Sequence, residues 1–287
     1  MPFTPSHAVV ALLFVRTPLV PAAIAVGAMA PDLPLFVRGT PVTYGGTHDL
    51  AQLPSTILVA LLLLLTWRMV LRPAARELAP RMLAERLPVQ WDGGAATGWR
   101  ETFAVAGSPR RASFVGVVLL VTSLALGILT HVVWDLFTHE GRWGSEMLPV
   151  LDEEWGPFTG YKWLQHGSSV LGLVILAVCA LIWWRRADTT AVPPRRNAER
   201  GIVDRVLPGW TRGAWWVSLP VILVSGWIWG MVAFGPFSAE WTIPHLAYRV
   251  LPPACALWGC LTIVVCIAVQ VARSARRGAS ATAVGNE

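Results

Sequence analysis

The most informative polar residues of this chain follow one another along a single apolar stretch. The segment HVVWDLFTHEG carries His131, Asp135 and His139 at a spacing of four residues. Each step of four turns a helical side chain by only about 40°, so all three share one helix face. An imidazole and a carboxylate one turn apart can grip one cation, at roughly 2.0 to 2.2 Å for zinc. His131 and His139 lie about 12 Å apart along a helix axis. They can therefore share one metal only if the helix ends or bends; otherwise they hold two neighbouring ions.

Asp135 is costly in so apolar a segment. A carboxylate costs roughly 2.5 to 3.5 kcal/mol at the centre of a bilayer, and less near its surface. A bound cation would offset that cost. The alternative is a carboxylate held by an arginine, or by a hydroxyl such as that of Thr130 or Thr138.

Two further patterns add candidate polar groups. In AMAPDLPLF, Asp32 closes an apolar stretch between two prolines, which fix the backbone and so the direction of the carboxylate. The alternative is a loop acid that terminates a helix. In GGTHDL, a turn rich in glycine presents His48 and Asp49.

A fourth pattern, YKWLQHG, gathers Lys162, Gln165 and His166 at the entrance to another apolar stretch. Gln165 could cap a helix and His166 could bind a metal. A sequence at a membrane boundary looks much the same, so both interpretations stay open.

The composition indicates what must position these residues. The chain has 287 residues, of which 54% are hydrophobic and 14% charged, a balance that excludes an ordinary soluble domain. Sixteen tryptophans supply rings of the kind that collect where a bilayer meets water. The net charge of +6 comes almost wholly from arginines in short stretches between apolar runs, which argues against a nucleic-acid partner. We expect an integral membrane protein.

Five apolar segments are long enough to span a bilayer, which takes roughly 20 residues. They run over Pro54–Leu71, Ser113–Thr138, Gln165–Trp184, Gly213–Gly235 and His245–Val271. The predicted fold is therefore all-α: one polytopic membrane domain over residues 1–287.

The first 37 residues hold two apolar stretches, His7–Val15 and Leu19–Ala30, each too short to span. At about 1.5 Å per residue they rise roughly 14 to 18 Å. They form either a short hairpin that enters from outside and turns near mid-depth, or one kinked span.

Arginine asymmetry predicts the orientation, because arginine marks the cytoplasmic side. The Arg-rich stretches 72–112 and 185–212 and the tail 273–287 are expected in the cytoplasm. The acidic loop 139–164, the short loop near Glu240 and residues 38–53 are expected outside. On this topology five histidines lie at or near the outer face, and the hairpin adds His7; the outer-face residues are His48, His131, His139, His166 and His245.

Several of these motifs recur in order in a known family. The segments MPFTPSHA, APDLP, the Thr47–His48 pair, HVVWDLFTHEGRWG and YKWLQHGSSVLGL resemble the bacterial membrane proteins called domain of unknown function 4184. That family is similar to a broader group labelled membrane-bound metal-dependent hydrolases. The resemblance implies a site built from His7, Asp32, His48, His131 and Asp135. The chain departs from the group in carrying Asp49 where serine is common, and in lacking a His-Arg pair before that element.

Three hypotheses follow. In the first, the chain is an inner-membrane metallohydrolase whose outward-facing site acts on lipid or lipid-linked esters or phosphoesters. Its divalent metal, zinc foremost, is held by His7, Asp32, His48, His131, Asp135 and His139. Asp49 accepts the proton, and Lys162, Gln165 and His166 support the metal or the substrate. In the second, the chain is a cation or proton transporter or an assembly factor, since ionisable residues mark such pathways too. In the third it is a structural protein without a site.

Overall fold

The computed structural model describes residues 4–105, 108–187, 205–238 and 241–284. Five of its helices are long and apolar enough to cross a membrane: Leu50–Leu78, Phe114–Thr138, Gly160–Arg186, Gly209–Phe234 and Ile243–Arg276. Each covers its predicted segment to within one residue. The prediction of an all-α polytopic bundle is confirmed.

The elements are named here in chain order. The α-helices are α1 (Pro21–Met29), α2 (Leu33–Phe36), α3 (Tyr44–Thr47), α4 (Leu53–Leu65), α5 (Arg72–Leu78), α6 (Arg81–Ala84), α7 (Gly94–Phe103), α8 (Phe114–Thr138), α9 (Trp143–Met147), α10 (Gly160–Arg186), α11 (Gly209–Phe234) and α12 (Ile243–Val284). 3₁₀ helices cover Thr4–Phe14, Ala30–Asp32, Leu50–Gln52, Val89–Gly93 and Pro149–Leu151, and a π-helical segment covers Thr66–Leu71. Two short antiparallel ladders pair β1 (Ala104–Val105) with β2 (Ser108–Ala112) and β3 (Glu154–Trp155) with β4 (Phe158–Thr159).

The chain divides into two compact units. The first comprises residues 1–34, 40–65 and 100–187, and the second comprises residues 35–39, 66–99 and 188–287. Residues 188–204, within the predicted stretch 185–212, and Glu240 in the predicted short outer loop lie outside the described residues.

The N-terminal segment of the first unit is a hairpin. The Thr4 hydroxyl donates to Asp32 Oδ2 at 2.7 Å, so the two ends of the segment meet, which a single kinked span does not allow. At its turn, the Val20 N–H donates to Ser123 Oγ at 2.9 Å, and Ser123 is the tenth residue of α8. The first arm is a 3₁₀ helix rather than an α-helix. At about 2 Å per residue it rises about 22 Å, further than the 14 to 18 Å expected above.

The returning arm of the hairpin packs on α8 with backbones in near contact. A Cβ on Gly27 would overlap Leu124 O, and a Cβ on Gly127 would overlap Ile24 O. Small residues at facing positions let membrane helices approach this closely. Around them lies a core of buried apolar side chains: Ala23, Ala30, Ala60, Leu64, Leu120, Leu124, Ile128 and Val132. This packing fixes α8 against the hairpin, and both carry residues of the site.

In the second unit, a proline explains the π-helical segment. Pro73 has no N–H to give to the carbonyl four residues before it, Met69 O. The Gln270 amide of α12 donates to that carbonyl at 2.9 Å and to Val70 O at 3.3 Å. The helix therefore continues through the proline to Leu78, because a side chain from α12 satisfies the freed carbonyls.

Glu77 joins three segments of the second unit. Its carboxylate is fully buried and accepts from the backbone N–H groups of Val206 and Leu207 at 3.1 and 3.0 Å. Arg212 of α11 and Arg273 of α12 pair with it at 3.7 and 3.5 Å. These contacts bring together parts of the two predicted Arg-rich stretches and the start of the predicted tail.

The stretch RPAARELAPRMLAERLP is divided between two helices, α5 and α6, although its leucines and Met82 would share one face of a continuous helix. Helix α5 ends at Leu78, and Ala79 is extended at ψ 147°. The reason is Pro80, which disfavours a helical conformation in the residue before it. Leu78 and Leu87 are buried in separate clusters, while Met82 is 63% exposed.

Candidate metal centre

Five predicted ligand residues from distant parts of the chain meet in the first unit. His7 comes from the N-terminal 3₁₀ helix, Asp32 from the end of the hairpin, His48 from the residue after α3, and His131 and Asp135 from α8. In the part of the chain that the structure describes, two groups of three residues each place one ligand atom per residue within 4.8 Å of one another. One group is His7, Asp32 and His131, and the other is His48, His131 and Asp135. His131 belongs to both.

Backbone carbonyls fix which nitrogen of two rings faces the site. His131 Nδ1 lies 2.7 Å from Ala28 O, and His48 Nδ1 lies 2.9 Å from Tyr44 O. A carbonyl oxygen only accepts, so both Nδ1 atoms carry the proton and donate it. Both Nε2 atoms then present a lone pair to the cluster. Metal-binding histidines are commonly oriented by such a bond from the other ring nitrogen.

The carboxylates of Asp32 and Asp135 lie among these rings. His131 Nε2 is 3.7 Å from Asp32 Oδ1 and 3.6 Å from Asp135 Oδ2, and His48 Nε2 is 3.4 Å from Asp135 Oδ2. The rings of His7 and His131 approach to 4.1 Å between centroids. Asp32 and His131 are each 1% exposed.

Tyr44 and Thr4 orient the two carboxylates. The Tyr44 hydroxyl donates to Asp135 Oδ2 at 3.2 Å, and its ring stacks on His48 at 3.9 Å. Burial, with the negative charges of Asp135 and Asp32 nearby, raises the pKa of the Tyr44 phenol, which therefore stays neutral and donates. Thr4 donates to Asp32, as described above. Nothing in the sequence pattern singled out either residue, since both contacts join segments far apart in the chain.

Four buried atoms of the cluster have no hydrogen-bond partner among the described residues: His7 Nε2, His48 Nε2, His131 Nε2 and Asp135 Oδ1. An unsatisfied buried polar group costs about 1 to 3 kcal/mol, so four in one place call for a ligand. Imidazole nitrogens and carboxylate oxygens are the donors that zinc and similar divalent cations take. The residues present therefore fit a divalent cation.

His139 lies at the edge of this cluster. Helix α8 ends at Thr138 and His139 is extended, so the helix stops within the predicted series of four-residue steps. His139 Nδ1 is 3.2 Å from Asp135 O, and His139 Nε2 is 3.1 Å from Gln165 Nε2, so protein atoms contact both ring nitrogens. Burial lowers the pKa of His139, which favours the neutral ring. Gln165 is buried beside it.

The remaining predicted site residues, Asp49, Lys162 and His166, belong to neither of the two ligand groups. Asp49 is exposed, and its carboxylate caps the 3₁₀ turn Leu50–Gln52 by accepting from Ala51 N at 2.9 Å. Lys162 and His166 are exposed on α10. Their roles stay predictions.

The hydroxyls first considered for Asp135 make other contacts. Thr130 donates to Gly127 O and Thr138 to Trp134 O, so both bind the backbone of their own helix. The hydroxyl that does reach Asp135 comes from Tyr44, 91 residues away in sequence.

Below the cluster, the buried side of α8 is mostly apolar, and its polar residue Ser123 donates to Leu119 O of the same helix. His131 and Asp135 lie on the side of α8 that also buries Leu120, Leu124 and Ile128. These three belong to the core between α8 and the hairpin. The polar groups of the site therefore lie at one end of an apolar core.

Comparison with known proteins identifies a family. The family model described as domain of unknown function DUF4184 matches residues 1–233. No curated protein and no solved structure matches. Since the match covers most of the 287 residues, the chain belongs to this family.

Proposed function

Starting from membership of this family, we propose that the chain is a membrane-bound metal-dependent hydrolase of lipid or lipid-linked esters, phosphoesters among them. The observation that carries the proposal is the convergence of His7, Asp32, His48, His131 and Asp135, with four of their buried polar atoms unsatisfied. Zinc is the first candidate for the cation, because three imidazoles and two carboxylates supply the nitrogen and oxygen ligands it takes.

The sharing of His131 between the two groups limits the number of ions. Its Nδ1 donates to Ala28 O, so only Nε2 remains for a cation. One nitrogen lone pair binds one ion, and His131 cannot complete both groups at once. We therefore propose about one tightly held ion per chain, with His131 and both carboxylates around it.

A divalent cation supplies Lewis acidity, which polarises an ester or phosphoester oxygen and lowers the pKa of a coordinated water toward neutrality. The other tasks fall to the chain. Tyr44 holds the Asp135 carboxylate, and Thr4 holds that of Asp32. A carboxylate must also accept a proton. Asp49 is the candidate for this step, because Asp32 and Asp135 are both placed around the ion, while Asp49 is exposed and follows His48 directly in the chain.

We further propose that the site opens on the outer face of a bacterial inner membrane, with the C-terminus in the cytoplasm. The Glu77 contacts support one common side for the Arg-rich stretches and the tail, which arginine asymmetry assigns to the cytoplasm. The contacts of His48 with Asp135 and of His139 with Gln165 support one common side for the acidic loop and residues 38–53.

The apolar core below the site favours hydrolysis over transport. A transporter needs polar groups along a path to both faces. Beneath His131, the α8 residues Leu124 and Ile128 instead belong to an apolar core that includes Ala23, Ala60 and Leu64. We therefore rank a cation or proton transporter second.

Hydrolysis is tested on purified protein in lipid nanodiscs. Fluorogenic lipids with carboxylic ester, phosphomonoester and phosphodiester bonds are offered to protein stripped of metal and reloaded with zinc. We expect turnover of at least one class, restored by zinc, lost in Asp135→Asn and kept in His245→Ala, which changes an exposed histidine that has no predicted role in the site. Zinc-loaded, folded protein that hydrolyses none of the three would contradict the proposed reaction.

A further inference from the structure

The loop between α8 and α10, residues 139–159, exposes apolar side chains despite its acidic character. Met147 is 61% exposed, and five other residues are 42 to 55% exposed: Trp143, Leu148, Val150, Trp155 and Phe158. Trp143 and Met147 are one turn apart in α9 and share one face. In water, so many exposed apolar groups in one short segment are unfavourable, because the hydrophobic effect scales with apolar area.

On its C-terminal side, the loop is continuous with the exposed apolar surface of α10. Three exposed apolar residues share one face of α10, at spacings of seven and four residues. They are Trp163 (42% exposed), Val170 (63%) and Val174 (52%). The Trp163 indole donates to Trp155 O at 2.8 Å, and its ring contacts Phe158 at 5.5 Å. The β3–β4 hairpin therefore extends the apolar surface of a membrane-spanning helix. Its turn is tight, with Gly156 at φ 78°.

On its N-terminal side, the loop makes a matching contact with α8. The ring of Trp143 packs edge-on against Phe137, at 6.1 Å between centroids. Phe137 follows Val133, which is 51% exposed, by one helical turn. Both ends of the loop thus pack aromatic rings against the exposed sides of the spans that they join.

We propose that residues 139–159 form a membrane-docking loop, whose Trp143, Met147, Trp155 and Phe158 insert into the boundary between lipid headgroups and acyl chains. Tryptophan and phenylalanine are suited to this depth, where an apolar ring meets lipid and a polar edge meets water. The acidic residues Asp152 and Glu153 are exposed in the same loop and remain in the water.

The docking loop also bears on the proposed function, on which this step rests. It begins at His139 and leads into the helix that carries Gln165, and these two residues contact each other at the edge of the metal centre. A loop held at the headgroup boundary keeps that edge at the depth of a lipid's polar group. The substrate class it fits is a membrane amphiphile whose ester or phosphoester lies in the headgroup layer.

Photocrosslinking tests the docking directly. The photoreactive residue p-benzoylphenylalanine replaces Met147, Phe158 or Glu153 in otherwise unchanged protein in phospholipid nanodiscs. Val170 on the exposed face of α10 is the positive control, and a single gel-filtration peak shows that each variant is folded. After irradiation, intact-protein mass spectrometry measures the phospholipid adduct.

We expect adduct at positions 147 and 158 in a yield comparable with position 170, and little at position 153. Adduct at position 170 alone would overturn the proposal, as would equal adduct at 147, 158 and 153. The readout depends on neither metal nor turnover. Its failure therefore leaves the proposed hydrolase untouched, and an inactive protein that still forms the adducts leaves the docking intact.

Discussion

Asp135 Oδ2 gathers more polar neighbours than any other carboxylate oxygen of the described site. Tyr44 OH lies at 3.2 Å, His48 Nε2 at 3.4 Å, and His131 Nε2 and His139 Nδ1 at 3.6 Å. Only the tyrosine contact meets the geometry of a hydrogen bond that holds the carboxylate in one orientation. Tyr44 would therefore affect a bound cation only indirectly, by holding the Asp135 carboxylate.

The first prediction concerns this contact. Removing the hydroxyl in Tyr44→Phe keeps the ring stacked on His48 but frees Asp135 to rotate. Loss of such a supporting contact typically weakens metal binding by about 10- to 100-fold. Competition with a fluorescent zinc chelator measures the change. The matched control is Tyr248→Phe, since Tyr248 is exposed on α12. An unchanged affinity in Tyr44→Phe would show that Asp135 is held without it.

At this scale the sequence identified the histidines and aspartates that meet in the cluster, but not the two hydroxyls that hold the carboxylates. His131 and Asp135 were predictable as neighbours, because one helical turn separates them. That His7, Asp32 and His48 join them was expected from the predicted topology and the family resemblance. Tyr44 and Thr4 were missed, since their contacts depend on how the hairpin packs on α8. Asp49 was selected as the proton acceptor because it is a carboxylate beside His48. In the structure this carboxylate caps a turn, and its role in proton transfer stays a prediction.

Among the elements, the close approach of α1 and α8 carries the geometry of the site. Gly27 and Gly127 face each other there, and His131 lies one turn beyond Gly127. Any side chain at Gly127 would push the two helices apart.

The second prediction tests this packing. Gly127→Ala is expected to destabilise the protein by about 1 to 3 kcal/mol, through overpacking against Ile24 O. The control is Gly167→Ala on α10, where an added Cβ meets nothing within 4 Å. Removing a helical glycine there stabilises by roughly 0.5 to 1 kcal/mol. Thermal unfolding in detergent compares the two, and equal melting temperatures would contradict the packing described.

The third prediction concerns the buried Glu77. In Glu77→Gln the carboxylate charge is lost, and Arg212 and Arg273 lose their shared partner. Removing one member of a buried ion pair costs about 3 to 5 kcal/mol. Glu85→Gln removes a surface pair with Arg81 instead, worth at most about 1 kcal/mol. Limited proteolysis and thermal unfolding measure both. A Glu77 variant as stable as the Glu85 variant would show that the buried contacts contribute little.

Hydropathy predicted the long helices well, because crossing a bilayer requires a long apolar run whatever the packing. The same pattern could not predict the 3₁₀ form of the first arm or the π-helical segment. The π-helical segment depends on a hydrogen bond from Gln270, about 200 residues away in sequence. Nor could apolar periodicity alone show that Pro80 divides the Arg-rich stretch.

For the whole molecule, the orientation that we propose from arginine asymmetry assigns the metal centre to the outer face of the membrane and the Arg-rich stretches to the cytoplasm. The fourth prediction is that a membrane-impermeant maleimide labels Asp49→Cys in intact cells but labels Met82→Cys only after lysis. Both positions are exposed, and the four native cysteines set the background in unsubstituted protein. Labelling of Met82→Cys alone in intact cells would invert the proposed orientation.

The central claim is that side chains distant in sequence hold one cation, and metal analysis tests it most directly. Protein purified in detergent without chelator is measured by inductively coupled plasma mass spectrometry, beside folded His131→Ala and His245→Ala variants. We predict about one zinc or similar divalent ion per chain in the unsubstituted protein and in His245→Ala, and almost none in His131→Ala. Folded, metal-free protein, or a His131→Ala variant that keeps its full metal content, would contradict the account.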